Sequence, residues 1–201
     1  ALGNEPKNLS SVNRVIEGWC NNGTFNANQA SAIHRCIRPG VLSGAETIRP
    51  CMGVALLHGP PGTGKTNTLV GVVSALLLCS PKPRILLCAP SNAAIDEIVS
   101  RLLNRYAAGD SCMRDARGEP CVASVVRVGP NVKESLMHVS LESLARKRQA
   151  EKESLSYDAA RMLVLNETSI VCTTLSCAGY AMFSQLKSGF DTVLVDEAAQ
   201  C

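Results

Sequence analysis

A glycine-rich loop between an apolar run and a helix-forming segment carries the clearest chemistry in the sequence. It reads Gly-Pro-Pro-Gly-Thr-Gly-Lys-Thr, from Gly59 to Thr66. Glycines let backbone N–H groups approach phosphate oxygens closely, and the following helix adds its unpaired N–H groups. In this G-x-x-x-x-G-K-T pattern Lys65 reaches the β- and γ-phosphates, and the Thr66 hydroxyl ligates Mg²⁺. The pattern therefore predicts a nucleoside triphosphate site made by Gly59, Pro60, Gly62, Thr63, Gly64, Lys65 and Thr66.

An acidic pair near the end of the sequence is the second chemical element. The apolar run Thr192 to Val195 leads directly into Asp196 and Glu197. Such a pair suits Asp196 as a Mg²⁺ ligand and Glu197 as the base that orients and deprotonates an attacking water. The alternative is an acidic helix start, which is favourable without any catalysis. Because a complete phosphate loop precedes the pair, we expect the catalytic role.

Alternating apolar runs and helical patterns predict an α/β fold with an open parallel sheet, the architecture of P-loop NTPases. Unbroken apolar runs without polar alternation are typical of buried parallel strands, and they are followed by segments with helical spacing. Ligands of such sheets gather at the carboxyl ends of the strands, so we expect the phosphate loop and the acidic pair to meet there. The predicted strands are Val54–Leu57, Arg84–Cys88, Ser124–Val128, Ser169–Cys172 and Thr192–Val195.

Two short helices are predicted before the phosphate loop, over residues 9–20 and from about Phe25 to Ile33. In the second, Asn26 and Gln29 have the spacing of a capping box, which is a purely structural role for Gln29. The same amide could instead read an adenine edge, since it donates and accepts at once. The residues alone leave both roles open.

A less regular region, about residues 107–167, separates the two halves of the predicted sheet. It combines a polar, glycine-containing loop with a charged helical stretch from Leu141 to Asn166, for which we expect a helical hairpin standing off the core. The basic cluster Arg146-Lys147-Arg148 fits a solvated face better than a nucleic-acid contact. We therefore expect residues 1–50 to form N-terminal helices, residues 51–201 the sheet domain, and residues 107–167 an insertion in that domain.

The amino-acid composition limits the classes of protein to which this chain can belong. The formal net charge of +3 is mild, and 46% of the 201 residues are hydrophobic, which suits one sizeable core. The ten cysteines contain no C-x-x-C pair and several lie in apolar runs, so we expect reduced thiols, no structural metal and an intracellular protein. No apolar stretch approaches the ~20 residues of a membrane span, and the first residues do not look like a signal peptide.

Four segments together resemble the first RecA-like domain of superfamily 1B helicases of the senataxin and nonsense-mediated-decay type. The resemblance extends from about residue 10 over nearly the whole chain. Ile170–Leu175 and Arg127–Asn131 strengthen the likeness to senataxin. The phosphate loop is shared with many AAA+ ATPases, whereas the segments that contain Ala-Pro-Ser-Asn and Asp-Glu-Ala-Ala-Gln are more specific. The four are Phe25-Asn-x-x-Gln29, Gly59–Thr66, Cys88-Ala-Pro-Ser-Asn-Ala-Ala-Ile-Asp-Glu-Ile98 and Asp196-Glu-Ala-Ala-Gln200.

The resemblance implies roles for individual residues. It implies that Gln29 reads adenine, that Lys65, Thr66, Asp196 and Glu197 bind and hydrolyse Mg²⁺-ATP, and that Gln200 couples the γ-phosphate to the nucleic-acid side. It also implies that the charged helical stretch is an insertion projecting from the domain. Hydroxyls, an amide and helix N–H groups suit sequence-independent contacts to a single-strand backbone. The residues implied to grip single-stranded RNA or DNA are Pro90, Ser91, Asn92, Thr173 and Thr174.

The resemblance also implies a second RecA-like domain, whose arginines complete the ATP site and which the 201 residues do not contain. Such arginines contribute ~10³–10⁵ in rate in related phosphate chemistry, so we expect this chain alone to be nearly inactive. The favoured function is an ATP-dependent helicase acting on RNA or an RNA/DNA hybrid, in the nucleus rather than the cytoplasm. The alternatives are an AAA+ ATPase and a nucleotide-gated binding module that never hydrolyses ATP.

Overall fold

The structure, a computed structural model, describes residues 9–37, 53–80, 82–107, 125–152 and 154–200. The chain divides into two compact units. The first comprises Ala1–Pro83 with Arg105–Val122, and the second comprises Arg84–Asn104 with Ala123–Cys201. Most of the polar loop that the sequence predicts after Ala107 lies outside the described residues. Each unit has its own packing and its own part of the predicted chemistry.

Three helices make up the described secondary structure of the first unit: α1 (Leu9–Asn21), α2 (Ala27–Ile37) and α3 (Lys65–Cys79). The two predicted N-terminal helices are thus confirmed, and α3 begins at the lysine of the phosphate loop and ends at Cys79. Apolar side chains at helical spacing pack the three helices against one another. Those buried on α1 and α2, with the turn between them, are Val12, Ile16, Trp19, Phe25, Ala30, Ile33 and Ile37.

A glycine sets the closest approach between α3 and the N-terminal helices. A Cβ at Gly71 would lie 2.5 Å from Ile33 Cδ1 and 2.7 Å from Phe25 Cζ. Real Cβ atoms do not tolerate such distances, so a larger residue would push these elements apart. The ring of Phe25 also contacts Trp19, with ring centroids 5.8 Å apart. This packing holds α2, and with it Gln29, beside the start of α3.

The apolar segment before the phosphate loop does not form the buried strand that the sequence predicts. Val54 and Leu56 are 92% and 90% exposed, and no strand is assigned between Gly53 and Gly64. A strand needs a neighbour that supplies hydrogen-bonding partners, and helices are the only regular elements in the described part of the first unit. The prediction was wrong because apolar side chains indicate a tendency to be buried without supplying the partner strand.

The second unit contains the predicted parallel sheet. Its strands are β1 (Ile85–Ala89), β2 (Val125–Val128), β3 (Ile170–Thr174) and β4 (Thr192–Val195), in the order β2-β3-β1-β4. All three pairings are parallel, and Ile85 of β1 is in register with Ile170 of β3 and with Thr192 of β4. The α/β fold class and all four of these strand positions are therefore confirmed.

Strand β4 occupies the predicted position but is not buried as predicted. Val193 is 56% exposed and Val195 is 37% exposed, while β1, β2 and β3 are buried throughout. Both β2 and β4 lie at an edge of the described sheet, so edge position alone does not explain the difference. The segments Glu134–Val139 and Leu141–Glu151 pack on β2, whereas the contacts of β4 are mainly with β1.

The charged helical stretch packs on the sheet, and the prediction of a hairpin standing off the core was wrong. Helices α5 (Leu141–Glu151) and α6 (Tyr157–Glu167) contact each other, and each contributes side chains to the sheet's core. The many charged residues of this stretch hid its packing on the sheet from the sequence-based prediction. The basic cluster is exposed, while the opposite side of α5 is apolar. The core cluster on this face of the sheet consists of Leu86, Cys88, Val126, Val128, Leu141, Val164, Leu165 and Val171.

The remaining elements connect the strands of the second unit. Helix α4 (Asn92–Ala107) follows β1, and the short helices α7 (Leu175–Ala178) and α8 (Ala181–Ser184) follow β3. Two 3₁₀ turns, Glu134–Val139 and Ala198–Gln200, complete the set. Gly179 and Tyr180 separate α7 from α8.

One arginine forms several hydrogen bonds with the loops at the amino end of the sheet. Arg84 Nη1 donates to the carbonyl oxygens of Leu165 (2.7 Å), Asn166 (3.0 Å) and Thr168 (3.0 Å), which are left unpaired at the end of α6. The backbone N–H of Arg84 donates to the carboxylate of Asp191 (2.8 Å). Burial lowers the pKa of Arg84, and the nearby Asp191 opposes that shift.

The buried cysteines behave as small apolar residues, as the sequence predicts. Burial raises the pKa of the Cys79 thiol to about 11 and that of the Cys172 thiol to about 12. A raised pKa keeps these thiols protonated, and a neutral thiol is a poor nucleophile and metal ligand. Among the described residues no group of three or more His, Cys, Asp or Glu side chains is arranged to hold a metal ion.

Candidate nucleotide and nucleic-acid sites

The phosphate loop has the backbone conformation that its glycines allow. Gly62 and Gly64 have φ angles of 76° and 79°, in the left-handed region that side chains with a Cβ rarely adopt. Gly64 directly precedes α3, whose first residue is Lys65. The loop therefore ends where the helix presents its unpaired N–H groups and the positive end of its dipole.

Side chains within the loop stabilise its curvature. Lys65 Nζ donates to the carbonyl oxygens of Gly59 (2.9 Å) and Pro60 (3.1 Å). The Thr63 hydroxyl also donates to the Pro60 carbonyl, at 2.8 Å. These bonds turn the ammonium group towards the inside of the loop, the position from which a lysine can reach phosphate oxygens.

Gln29 combines the two roles that the sequence leaves open. Its backbone N–H donates to Asn26 Oδ1 (2.9 Å), and its Oε1 accepts from the Asn26 N–H (3.0 Å), which completes the capping box. Its Nε2 donates to the carbonyl oxygen of Thr63 at 3.2 Å, so the amide also contacts the phosphate loop. The capping role is thus observed, and the contact places the same side chain where it could meet a nucleotide.

The residues around the loop fit a triphosphate. A Cβ at Gly59 would lie 3.0 Å from Thr63 Oγ1, and one at Gly64 would lie 2.6 Å from Gln29 Nε2. Glycines at these two positions therefore let the loop backbone lie close to Thr63 and Gln29, where a side chain would not fit. Thr66, in the first turn of α3, is half-buried and supplies a hydroxyl of the type that ligates Mg²⁺ in phosphate loops.

The acidic motif lies in the second unit, directly after β4. The Asp196 N–H donates to the Cys88 carbonyl (2.9 Å), which extends the β1–β4 pairing by one residue. Glu197 then adopts a φ of 52°, and its N–H donates to Asp196 Oδ1 (3.1 Å). Gln200 closes the following turn through its N–H and the Glu197 carbonyl (2.8 Å). Because the phosphate loop belongs to the first unit, the expected meeting of these motifs stays a prediction.

The segment Pro90-Ser91-Asn92 connects the carboxyl end of β1 to α4. Ser91 is exposed and caps α4, since its Oγ accepts from the Ala94 N–H at 3.2 Å. Asn92 is half-buried and its Oδ1 accepts from Arg127 Nη2 at 2.8 Å. The capping reading of Ser91 is therefore observed, and Asn92 is anchored by a residue that the sequence did not single out.

The two threonines at the end of β3 are both buried and hydrogen-bonded. The Thr173 hydroxyl donates to the Val128 carbonyl (3.0 Å). The Thr174 hydroxyl accepts from the Cys177 N–H (3.3 Å) and caps α7. Because both hydroxyls already have protein partners, their contact with a strand stays a prediction, and their observed role is to shape the end of the sheet.

Arg127 and Asp96 are the functional candidates that the sequence reasoning missed. Arg127 is fully buried in β2, and its Nε donates to Asp96 Oδ1 at 2.7 Å. Asp96 also accepts from the Lys133 N–H through Oδ2, at 3.0 Å. A single arginine inside the apolar run Val125-Val-Arg-Val128 was the available sign, because a charge in a buried strand requires partners.

The comparisons with known proteins agree with the motifs. The sequence profile of the AAA domain family matches residues 24–162 and 146–201, which is most of the chain. The name of this family would also fit an AAA+ ATPase, but the three relatives below are all named as helicases. In the described part of the chain, no helix is long and apolar enough to cross a membrane.

Three relatives illustrate the similarity. A probable helicase of Dictyostelium discoideum is 37% identical over 143 residues, which cover 60% of this chain and 14% of the relative. The DNA polymerase alpha-associated DNA helicase A of Schizosaccharomyces pombe is 31% identical over 172 residues, covering 73% and 25%. The probable helicase senataxin of Homo sapiens is 31% identical over 111 residues, covering 47% and 4%.

The chain thus spans a quarter or less of the length of these relatives. Its matched part contains the phosphate loop and the parallel sheet that ends in the acidic motif. The chain belongs to the AAA domain family, and within it to the type represented by the first RecA-like domain of senataxin-like superfamily 1 helicases.

Proposed function

We propose that this chain is the ATP-binding domain of a helicase that couples ATP hydrolysis to movement along a single nucleic-acid strand. The observation that carries the proposal is the phosphate loop, with its two left-handed glycines and with Lys65 Nζ 2.9 Å from the Gly59 carbonyl. This arrangement is built to surround phosphate oxygens with N–H groups and one ammonium. The helicase names of the relatives support the rest of the proposal.

Different residues of this chain have different roles in binding and hydrolysing ATP. Lys65 exchanges its loop carbonyls for β- and γ-phosphate oxygens, and Gln29 reads the adenine edge from the contact it makes with the loop. Thr66 and Asp196 are the residues that would hold Mg²⁺, which would neutralise charge on the phosphates. Glu197 orients the attacking water and takes its proton. Gln200, in the turn after Glu197, links the γ-phosphate to the nucleic-acid side.

The strand site lies at the carboxyl end of the sheet in the second unit. Pro90, Ser91 and Asn92 supply exposed or half-buried polar groups at the start of α4. Thr173 and Thr174, at the end of β3, have a smaller expected contribution because they are buried and their hydroxyls already bond to protein. Contacts of this kind go to the phosphate and sugar backbone and carry no sequence preference.

The whole protein's substrate and location follow from the resemblance. The favoured substrate is RNA or an RNA/DNA hybrid and the favoured location is the nucleus, both from the likeness to senataxin. DNA is the alternative, since another relative's name includes a DNA helicase. A second RecA-like domain would complete the ATP site, because one domain cannot close on a strand by itself.

Nucleotide binding is the first test, and this chain suffices for it. A fluorescent ATP analogue should bind with Mg²⁺, and Lys65→Ala should weaken binding about tenfold or more, since it removes a charge-assisted contact. Glu197→Gln should bind the analogue as well as the unchanged chain does. Equal affinity of the Lys65→Ala variant would contradict the proposed role of the loop.

Turnover is the second test, in a protein that also carries a second RecA-like domain. Single-stranded oligouridylate should stimulate phosphate release, and Glu197→Gln should abolish that stimulation while leaving nucleotide binding intact. Binding without turnover in the presence of both domains would contradict the helicase proposal and favour a nucleotide-gated binding module.

A further inference from the structure

We infer that Arg127 is a positioning residue that sets Asn92 as a hydrogen-bond donor for a phosphate oxygen of the bound strand. The inference deepens the proposed function and depends on it, because it concerns the same strand site. It starts from the hydrogen bonds of the buried guanidinium. Arg127 is fully buried and bonds at once to Asp96 Oδ1, to the Val128 carbonyl and to Asn92 Oδ1.

The chemistry of the guanidinium fixes the orientation of the Asn92 amide. An arginine side chain only donates hydrogen bonds, so the amide must offer its oxygen to Nη2. The Nδ2 group, with its two N–H donors, then faces away from Arg127. A half-buried amide held in this way keeps its two N–H donors for a ligand, and phosphate oxygens accept hydrogen bonds without donating any.

Asp96 keeps Arg127 in place. The carboxylate lies 2.7 Å from Arg127 Nε and is 6% exposed, so each charge is the main compensation for the other. Its second oxygen accepts from the Lys133 N–H at 3.0 Å, which ties the pair to the chain after β2. Asp96 also lies one helical turn after Asn92 on α4, so both anchors of the arginine belong to the same helix face.

The same network reaches the end of β3. The Val128 carbonyl accepts from Arg127 Nη1 and from the Thr173 hydroxyl (3.0 Å). The guanidinium therefore connects both segments proposed to meet the strand, the start of α4 and the end of β3. A shift of Arg127 would change the orientation of Asn92 first, because that bond is made to a rotatable side chain.

Two variants separate the donor from the fold. Asn92→Asp keeps an oxygen for Arg127 but replaces the donor group with a second, negatively charged oxygen. Arg127→Lys keeps the positive charge beside Asp96 but cannot reach three acceptors with a fixed fork. Arg84→Met is the matched control, since it removes another arginine of this unit that donates to several acceptors, at the amino end of the sheet.

The experiment measures the affinity of the 201-residue chain for a fluorescein-labelled oligouridylate 12-mer by anisotropy, with the unfolding free energy of each variant. We expect Asn92→Asp to weaken binding about tenfold or more and Arg127→Lys about fivefold. Arg84→Met should leave affinity within about twofold. In an Asn92→Ala background, Arg127→Lys should cause no further loss, as required if it acts through Asn92.

Each outcome decides one question. If the unchanged chain does not bind the oligonucleotide, the proposed strand site fails and this inference fails with it. If the chain binds and Asn92→Asp binds equally well, the inference is overturned while the strand site stands. An equal loss from Arg127→Lys with and without Asn92 would show that Arg127 does not act through Asn92, which also overturns the inference.

Discussion

Two arginines form hydrogen-bond networks at opposite ends of the same parallel sheet, and the two networks have different roles. Arg84 lies just before β1 and donates to three carbonyls at the end of α6. Arg127 lies within β2 and donates to a carboxylate, a carbonyl and a side-chain amide at the carboxyl end. The first is partly exposed and the second is fully buried. Both satisfy groups that would otherwise lack partners.

The difference lies in what each arginine holds. The acceptors of Arg84 are backbone groups of a helix end, so their loss affects only stability. Arg127 holds a rotatable amide at a helix start, at the end of the sheet where ligands of α/β folds gather. The comparison therefore separates a stabilising network from one that also sets the chemistry of a site.

The largest expected effect is on the carboxyl-end network. Arg127→Met leaves the buried carboxylate of Asp96 without its cation, and breaking a buried pair in this way costs about 3–5 kcal/mol in unfolding free energy. Urea unfolding followed by circular dichroism measures the loss. Arg127→Lys should lose less because it keeps the charge. A loss below about 1 kcal/mol for Arg127→Met would show that the pair is not the buried unit described above.

The amino-end network should be weaker. Arg84→Met removes three hydrogen bonds to the end of α6 from a charged donor, but that donor is itself partly exposed, so we expect a loss of about 2 kcal/mol. The same urea measurement tests it, with oligonucleotide affinity as a second readout that should not change. If affinity fell as much as in Arg127→Lys, the two ends of the sheet would not differ as proposed.

The other end of α6 offers a smaller test of the same stabilising network. Ser156 caps the helix, with its Oγ accepting from the Ala159 N–H at 3.2 Å. Ser156→Ala should lower the unfolding free energy by about 1 kcal/mol, and Ser156→Asp should restore it. Failure of the aspartate to restore stability would mean that the cap hydrogen bond is not the source of the loss.

The smallest effect is expected at a surface pair next to the Arg84 network. Arg148 Nη2 and Glu167 Oε2 are 2.7 Å apart, and both side chains are about half exposed. Glu167→Gln should change the unfolding free energy by less than about 0.5 kcal/mol, and added salt should remove even that change. A loss comparable to that of Arg84→Met would show that α6 is held by surface charge rather than by its carbonyl cap.

The sequence predicted those elements whose information is local. Helix α3 begins at Lys65 and β4 spans Thr192–Val195, as the motifs and apolar runs indicate. The capping box of Asn26 and Gln29 could also be predicted from spacing alone. For the helix start and the capping box, neighbouring residues in the sequence supply both partners of the interaction, whereas β4 was predicted from its apolar run although it pairs with the distant β1.

Features that depend on distant partners were not predictable. The exposure of Val54 and Leu56 and the edge position of β4 depend on which strands pair. The packing of α5 on the sheet depends on Leu141 meeting a strand, which charge counts do not reveal. Arg127 and Asp96 are 31 residues apart, so their sequence positions give no sign of the ion pair.

Photo-crosslinking tests most directly the claim that the strand runs along the carboxyl end of the sheet. An oligouridylate containing 4-thiouridine would be irradiated with the chain and the joined peptides identified by mass spectrometry. We expect crosslinks in peptides that contain Pro90–Asn92 or Thr173–Thr174, and we expect fewer of them in the Asn92→Asp variant. Crosslinks confined to peptides around Arg84 and Asp191, or to the basic cluster Arg146–Arg148, would contradict it.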